Sequence, residues 1–178
     1  MDPARRWGWH QLAEREAARL VASSPIGPGT LVLDVGAGTG AITEPLLAVG
    51  ARVVAVEAHP GRARQLRDRF GDEVVVVRAD ARDLRLPRRP YHVVGNPPFA
   101  VTSALLRRLL QPGSRMVSAR VVLQDQAARR WASPSAPGVR RWGCAFDAEL
   151  GPRVPRRAFR PPPPVDARVL HLDRRRPA

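Results

Sequence analysis

The segment that most limits the fold is Leu31-Val32-Leu33-Asp34-Val35 running without a break into Gly36-Ala37-Gly38-Thr39-Gly40. An apolar run with strand composition, a glycine turn and a helical pattern over Ala41–Val49 make one strand–turn–helix unit. The unit recurs. Arg52-Val53-Val54-Ala55-Val56-Glu57, Val74–Val77, Tyr91–Gly95 and Met116–Leu123 read as further strands. Between and before them, residues 12–22, 60–70, Thr102–Leu110 and Gln124–Trp131 read as helices. Val74–Val77 is apolar on both faces. Near-continuous Val/Leu strands alternating with helices specify an α/β fold, a parallel sheet covered on both sides. After residues 133–138 the pattern changes. Ala145–Leu150, Pro155–Phe159 and Ala167–Leu172 read as two terminal strands joined by the proline-rich Pro161–Pro164. Arg174-Arg175-Arg176 reads as a frayed tail.

Charge points to a class of partner. All 30 basic residues are arginine, against 16 acids, for a net charge of +14. Residues 1–100 hold 14 arginines and 11 acids, whereas residues 101–178 hold 16 arginines and 5 acids. A high-G+C genome explains arginine in place of lysine, but not the excess or its crowding into the second half. A polyanion is the natural partner, nucleic acid first. Cys144 is the single cysteine, which leaves no internal disulfide, and four scattered histidines give no metal-ligand spacing. No apolar run approaches a membrane span, and no apolar segment follows the first residues. A soluble, cytoplasmic, monomeric protein is expected.

The glycine turn carries the first chemistry. Its spacing, G-x-G-x-G, is neither the G-x-G-x-x-G of dinucleotide sites nor a P-loop. Glycines at 36, 38 and 40, with Ala37 between, let a ligand approach the backbone. Glu57 is expected at the end of the second strand, where its carboxylate can accept both hydrogens of a ribose diol. Asp80 is expected at the end of the third, where it can accept from an adenine amino group. Ala58 and Ala81 supply small neighbours. The alternative is a structural glycine turn with the acids as helix caps. Three acids at successive strand ends, Asp34, Glu57 and Asp80, resemble the S-adenosylmethionine site of class I methyltransferases.

The second signal is Gly95-Asn96-Pro97-Pro98-Phe99, just after the fourth strand; Asn96 is the only asparagine in the chain. The lone pair of an amino group on an aromatic base is delocalised into the ring. Two acceptors aimed at its hydrogens localise that pair toward a methyl donor. The Asn96 side-chain carbonyl and the Pro97 backbone carbonyl are the candidates, held by prolines that fix the loop. Phe99 can stack on a flipped base. The plain alternative is a proline turn.

With these motifs the chain resembles the rRNA adenine-N6 methyltransferases, over nearly all of residues 5–173. It is closest to the erythromycin-resistance 23S rRNA branch, through Asn96-Pro97-Pro98-Phe99 followed by Ala100-Val101-Thr102-Ser103, a helix and Gly113. Arg6-Trp7-Gly8-Trp9-His10-Gln11-Leu12 lies where the family has Gly-Gln-Asn-Phe-Leu, a cofactor-contacting motif. Only Gly8 and Leu12 match, so the polar contact falls to His10. Phe159-Arg160-Pro161-Pro162-Pro163-Pro164-Val165-Asp166 resembles the family's Phe-x-Pro-x-Pro-x-Val entry to the last strand. The resemblance implies a class I, Rossmann-like domain over residues 1–173 with a seven-stranded, mostly parallel sheet and an antiparallel last strand, then a basic tail, 174–178. It implies a cofactor site at His10, Leu12, Gly36, Ala37, Gly38, Gly40, Glu57, Ala58, Asp80, Ala81 and Asn96. Catalysis would rest on Asn96, Pro97 and Phe99, with Phe159 a second aromatic near the base. The usual helical C-terminal domain does not follow, so 23S rRNA is expected to contact the domain itself, with candidate surfaces at Arg107/Arg108, Arg129/Arg130, Arg140/Arg141, the tail and Arg153/Arg156/Arg157/Arg160, of which Arg153, Arg156 and Arg157 are taken first. The other readings are a 16S rRNA dimethyltransferase, a DNA adenine methyltransferase, a protein-glutamine methyltransferase and a non-catalytic RNA-binding factor.

Overall fold

The computed structural model describes residues 9–175, so Arg6, Trp7, Gly8 and Arg176 lie outside the described residues. The elements are β1 (Gln11–Leu12), α1 (Glu14–Ala22), β2 (Leu31–Val35), α2 (Thr43–Ala48), β3 (Arg52–Val56), α3 (Pro60–Phe70), β4 (Val74–Val77), β5 (Tyr91–Gly95), α4 (Thr102–Leu109), β6 (Met116–Gln124), α5 (Asp125–Trp131), α6 (Val139–Trp142), β7 (Phe146–Val154), β8 (Phe159–Arg160) and β9 (Ala167–Arg174). Seven strands form one sheet in the order β4-β3-β2-β5-β6-β9-β7. β2, β3, β4, β5 and β6 pair in parallel, and β9 lies antiparallel between β6 and β7. The order reverses between β2 and β5, where an open α/β sheet forms a crevice at its strand ends.

Alternation along the strands divides the core into two layers. Val32, Val53, Val94, Val122 and Val169 face α1, α2 and α3, meeting Leu20, Leu46 and Leu66. Leu33, Val35, Val93, Val121 and Leu170 face α4, α5 and α6, meeting Leu105, Leu106, Trp131 and Trp142. No helix among the described residues is long and apolar enough to cross a membrane.

Several boundaries differ from the sequence reading. Leu12 is not the first residue of a helix. Gln11 and Leu12 pair antiparallel with Arg160 and Phe159 in a separate two-stranded sheet, and α1 begins at Glu14. Tertiary pairing overrides the helical pattern there. Gln124 extends β6, and α2 is shorter than residues 41–49. The four-residue α6 carried no sequence signal; it packs Trp142 beside Trp131, ring centroids 6.4 Å apart. The tail is also corrected at its start. Arg174 is the last residue of β9, with Nε donating to the Met116 carbonyl at 2.7 Å, and Arg175 pairs with Asp147 at 2.7 Å.

Phe159 is a further correction. Its ring is 2% exposed within the layer that holds Leu12 and Leu20, so it packs the core and does not face a bound base. Phe159→Ala is therefore expected to cost about 3–5 kcal/mol of stability, measured by urea unfolding.

Candidate active site

The glycine turn and the Asn-Pro-Pro loop leave the adjacent, parallel strands β2 and β5 at the same sheet end. They touch backbone to backbone. Gly36 has φ +77°, and a Cβ there would lie 2.7 Å from Pro97 Cα and 2.9 Å from the Asn96 carbonyl oxygen. Only glycine meets both conditions. Gly40 is needed for another reason: a Cβ would meet the Phe70 ring at 2.5 Å. It faces α3 and lines neither cleft, so what demands glycine there is packing against Phe70.

Two adjoining clefts open at this end. The larger, about 490 Å³, is lined by residues that include Gly36, Glu57, Ala58, Asp80, Ala81 and Pro98. That volume suits a small-molecule site. The smaller includes Leu12, Gly36, Ala37, Gly38 and Asn96. Trp9 lines both. Its indole nitrogen is 2.9 Å from where a Gly38 Cβ would stand, and the Arg62 guanidinium lies 4.9 Å from its ring centroid.

Glu57 follows β3 directly and is 4% exposed. One carboxylate oxygen accepts from Gly38 N at 2.9 Å; the other accepts from His59 N at 2.8 Å and Arg62 Nη2 at 3.0 Å. Asp80 stands three residues past the end of β4, not at it, and caps a short 3-10 turn by accepting from Arg82 N at 2.9 Å. Arg82 also grips both its oxygens, at 3.0 and 2.7 Å, which holds the carboxyl below the usual range. Asp34 is fully buried. Burial raises its pKa, the Thr43 hydroxyl at 2.6 Å partly offsets this, and Glu57 adds to the rise, for a result of about 7. Its Oδ1 has no hydrogen-bond partner.

At the Asn-Pro-Pro loop, Asn96 Nδ2 donates to the His10 carbonyl at 2.7 Å. This fixes the amide and leaves Oδ1 as the free acceptor. The His10 ring sits 6.0 Å from the half-buried Phe99 ring, and its Nδ1 bonds the Pro161 carbonyl at 2.8 Å. His10 lines neither cleft. The contact it makes at the site is through its backbone carbonyl, which orients Asn96. Trp9, Gln11, Arg62 and Arg82 line the clefts and were not singled out from sequence. Arg62, five residues after Glu57 on the next helix, had a readable spacing, and Trp9 and Gln11 lay in the segment set against the family's cofactor-contacting motif.

Arg153, Arg156 and Arg157 stand where β7 ends, at the same sheet end as Asn96. Arg153, Arg156 and Arg157 are all exposed, and Arg156 Nε donates to the Pro163 carbonyl at 2.7 Å.

The ribosomal RNA adenine dimethylase family matches residues 12–178. The chain belongs to the ribosomal RNA adenine dimethylase family. An rRNA adenine N-6-methyltransferase of Corynebacterium diphtheriae is 37% identical over 146 residues, covering 80% of this chain and 57% of the relative. A probable ribosomal RNA small subunit methyltransferase A of Pyrobaculum islandicum is 32% identical over 180 residues, covering 97% and 74%. The crystal structure of 23S rRNA methyltransferase ErmE superposes with a TM-score of 0.81 at 29% identity, covering 90% of this chain and 68% of that one. The chain spans about half the length of several curated relatives it matches.

The raised pKa of Asp34 has a measurable consequence. The folded chain holds this proton more tightly than the unfolded chain does. The stability contributed is therefore complete below the ordinary pKa of 3.8 and is lost as pH rises toward about 7. Asp34→Asn cannot ionise. In urea unfolding at pH 5 and pH 8, its stability is expected to fall less between the two than that of the wild type.

Proposed function

We propose that this domain transfers a methyl group from S-adenosylmethionine to N6 of an adenine in 23S rRNA. It would act as a cytoplasmic monomer and confer resistance to macrolide-type antibiotics. The observation that carries the reading is the Asn96 amide, fixed by His10 so that Oδ1 remains an acceptor, on a loop pressed against Gly36.

The residues present fit the cofactor. Gly36 and Gly38 line the clefts without side chains of their own, Glu57 and Asp80 supply carboxylates, and Ala58 and Ala81 supply small walls. Leu12 and Trp9 close the side toward residues 9–12. When bound, the cofactor supplies an activated methyl group on a sulfonium. The chain's own residues do the rest by position. Asn96 Oδ1 and the Pro97 carbonyl draw the two hydrogens of the amino group and turn its lone pair toward the donor. Phe99 offers a face for the flipped base. No strong general base is required.

Support for the 23S target is the 29% identity with ErmE. A small-subunit target is the second reading, favoured by the relative that spans almost all of this chain. Labelled S-adenosylmethionine offered with separate 23S and 16S transcripts, followed by mapping of the modified base, decides between them. Label on DNA or protein alone would overturn both. Asn96→Ala is expected to lower turnover by at least about 100-fold while cofactor affinity, measured by calorimetry, changes little.

A further inference from the structure

The charge in this molecule is distributed by layer and by end. Between Asp83 and Asp147 the sequence holds eleven arginines and one acid, Asp125. That stretch builds β5, α4, β6, α5 and α6. In the opposite helical layer α1, α2 and α3 carry six arginines, but four acids, Glu14, Glu16, Glu44 and Asp68, offset most of them.

The topology gathers part of this excess at the sheet end opposite Asn96. Arg88 and Arg89 come just before β5. Arg115 comes just before β6, and its carbonyl accepts from Tyr91 N at 3.4 Å. Arg174 closes the antiparallel β9 and pairs with Phe146, the first residue of β7. Arg140 and Arg141 lie on α6, just upstream. The row crosses four neighbouring strands, about 14 Å. Arg88, Arg89, Arg115, Arg140 and Arg141 are exposed, and none has an acidic partner among the described residues. The acids nearest the row are accounted for: Asp147 pairs with Arg175 and Asp173 with Arg120. Asp72 and Glu73 stand at the foot of β4, three strands beyond β5.

Arg174 shows how the charge is kept. Its guanidinium is held by the carbonyls of Met116 and Ser114 and lies 4.5 Å from the Phe146 ring centroid. Arg108, nearby at the end of α4, is held by the Leu84 carbonyl. Both are positioned by neutral acceptors, so their charge is fixed in place without being cancelled. Guanidinium forks match phosphate oxygens. The exposed large apolar residues are on β4, mid-β7 and the proline-rich connection, away from this row, which offers nothing to insert into a lipid surface.

We propose that this end of the sheet is a second RNA-backbone contact, remote from the catalytic loop, for the helical arm that continues from the target adenine. It rests on the RNA substrate proposed above. The length of β5, about 16 Å, separates the row from Asn96. An RNA that extends less far from its target adenine therefore cannot reach it.

The test compares the full chain with Arg88→Glu/Arg89→Glu/Arg115→Glu and with a control in the opposite layer, Arg15→Glu/Arg64→Glu. Folding of each is checked by thermal unfolding. Equilibrium binding to a long 23S rRNA transcript and to a minimal stem-loop is measured without cofactor over a salt series. The triple variant is expected to lose at least about tenfold in affinity for the long transcript, with a shallower log K against log salt slope by about two. Binding of the stem-loop and the effect of the control should change little. Unchanged binding of the long transcript, equal loss on both RNAs, or equal loss in the control would each overturn the proposal. Failure of methyl transfer by wild type to either rRNA would instead sink the proposed function, and the binding comparison would still judge the surface. Should the triple variant unfold, Arg140→Glu/Arg141→Glu on α6 reads the same row with the same outcomes.

Discussion

The structure depends on one close approach. At Gly36 two backbones meet with no room for a side chain, so the loop that closes the cofactor cleft and the loop that presents Asn96 form one surface. The parallel pairing of β2 with β5 brings them together, with Asp34 opposite Val94 and Val35 opposite Gly95. A parallel neighbour at the switch point delivers both loops to the same end of the sheet. An antiparallel neighbour would have sent one of them to the far end.

Around that contact the polar groups are tied to one another. Glu57 reaches across to Gly38 and back to Arg62, and Arg62 lies over Trp9. Asp80 is gripped by Arg82 on both oxygens. Asp34 sits beneath, buried and short of one partner. The acceptors a ribose and an adenine would use are thus ordered and already ionic at Asp80, while Asp34 holds a proton near neutrality. Burial against ion pairing separates the two aspartates.

Much of this was legible in the chain. The glycine spacing, the valine runs and Asn96-Pro97-Pro98-Phe99 are local patterns, and each sits where its pattern placed it. What the sequence hid is tertiary. Leu12 fits a helical stripe, yet pairs with Phe159, because a strand partner 147 positions away leaves no local trace. Phe159 looks like a free aromatic beside a proline run, but its neighbours are Leu12 and the α1 face. Gly40 reads as part of a ligand loop, but the Phe70 ring decides its identity. Among the arginines, composition shows an excess, whereas only the fold shows which of them, like Arg156, is engaged by a carbonyl.

The link from Pro161 through His10 to Asn96 bears on how the molecule matures. The two hydrogen bonds join residues 151 and 86 positions apart. Such contacts cost the most loop closure and tend to form late. The parallel strands β2 to β6, whose partners are closer in sequence, can therefore pair before residues 9–12 and the asparagine amide are fixed. Orientation of the Asn96 amide thus depends on contacts between distant parts of the chain, and is lost when residues 9–12 come away.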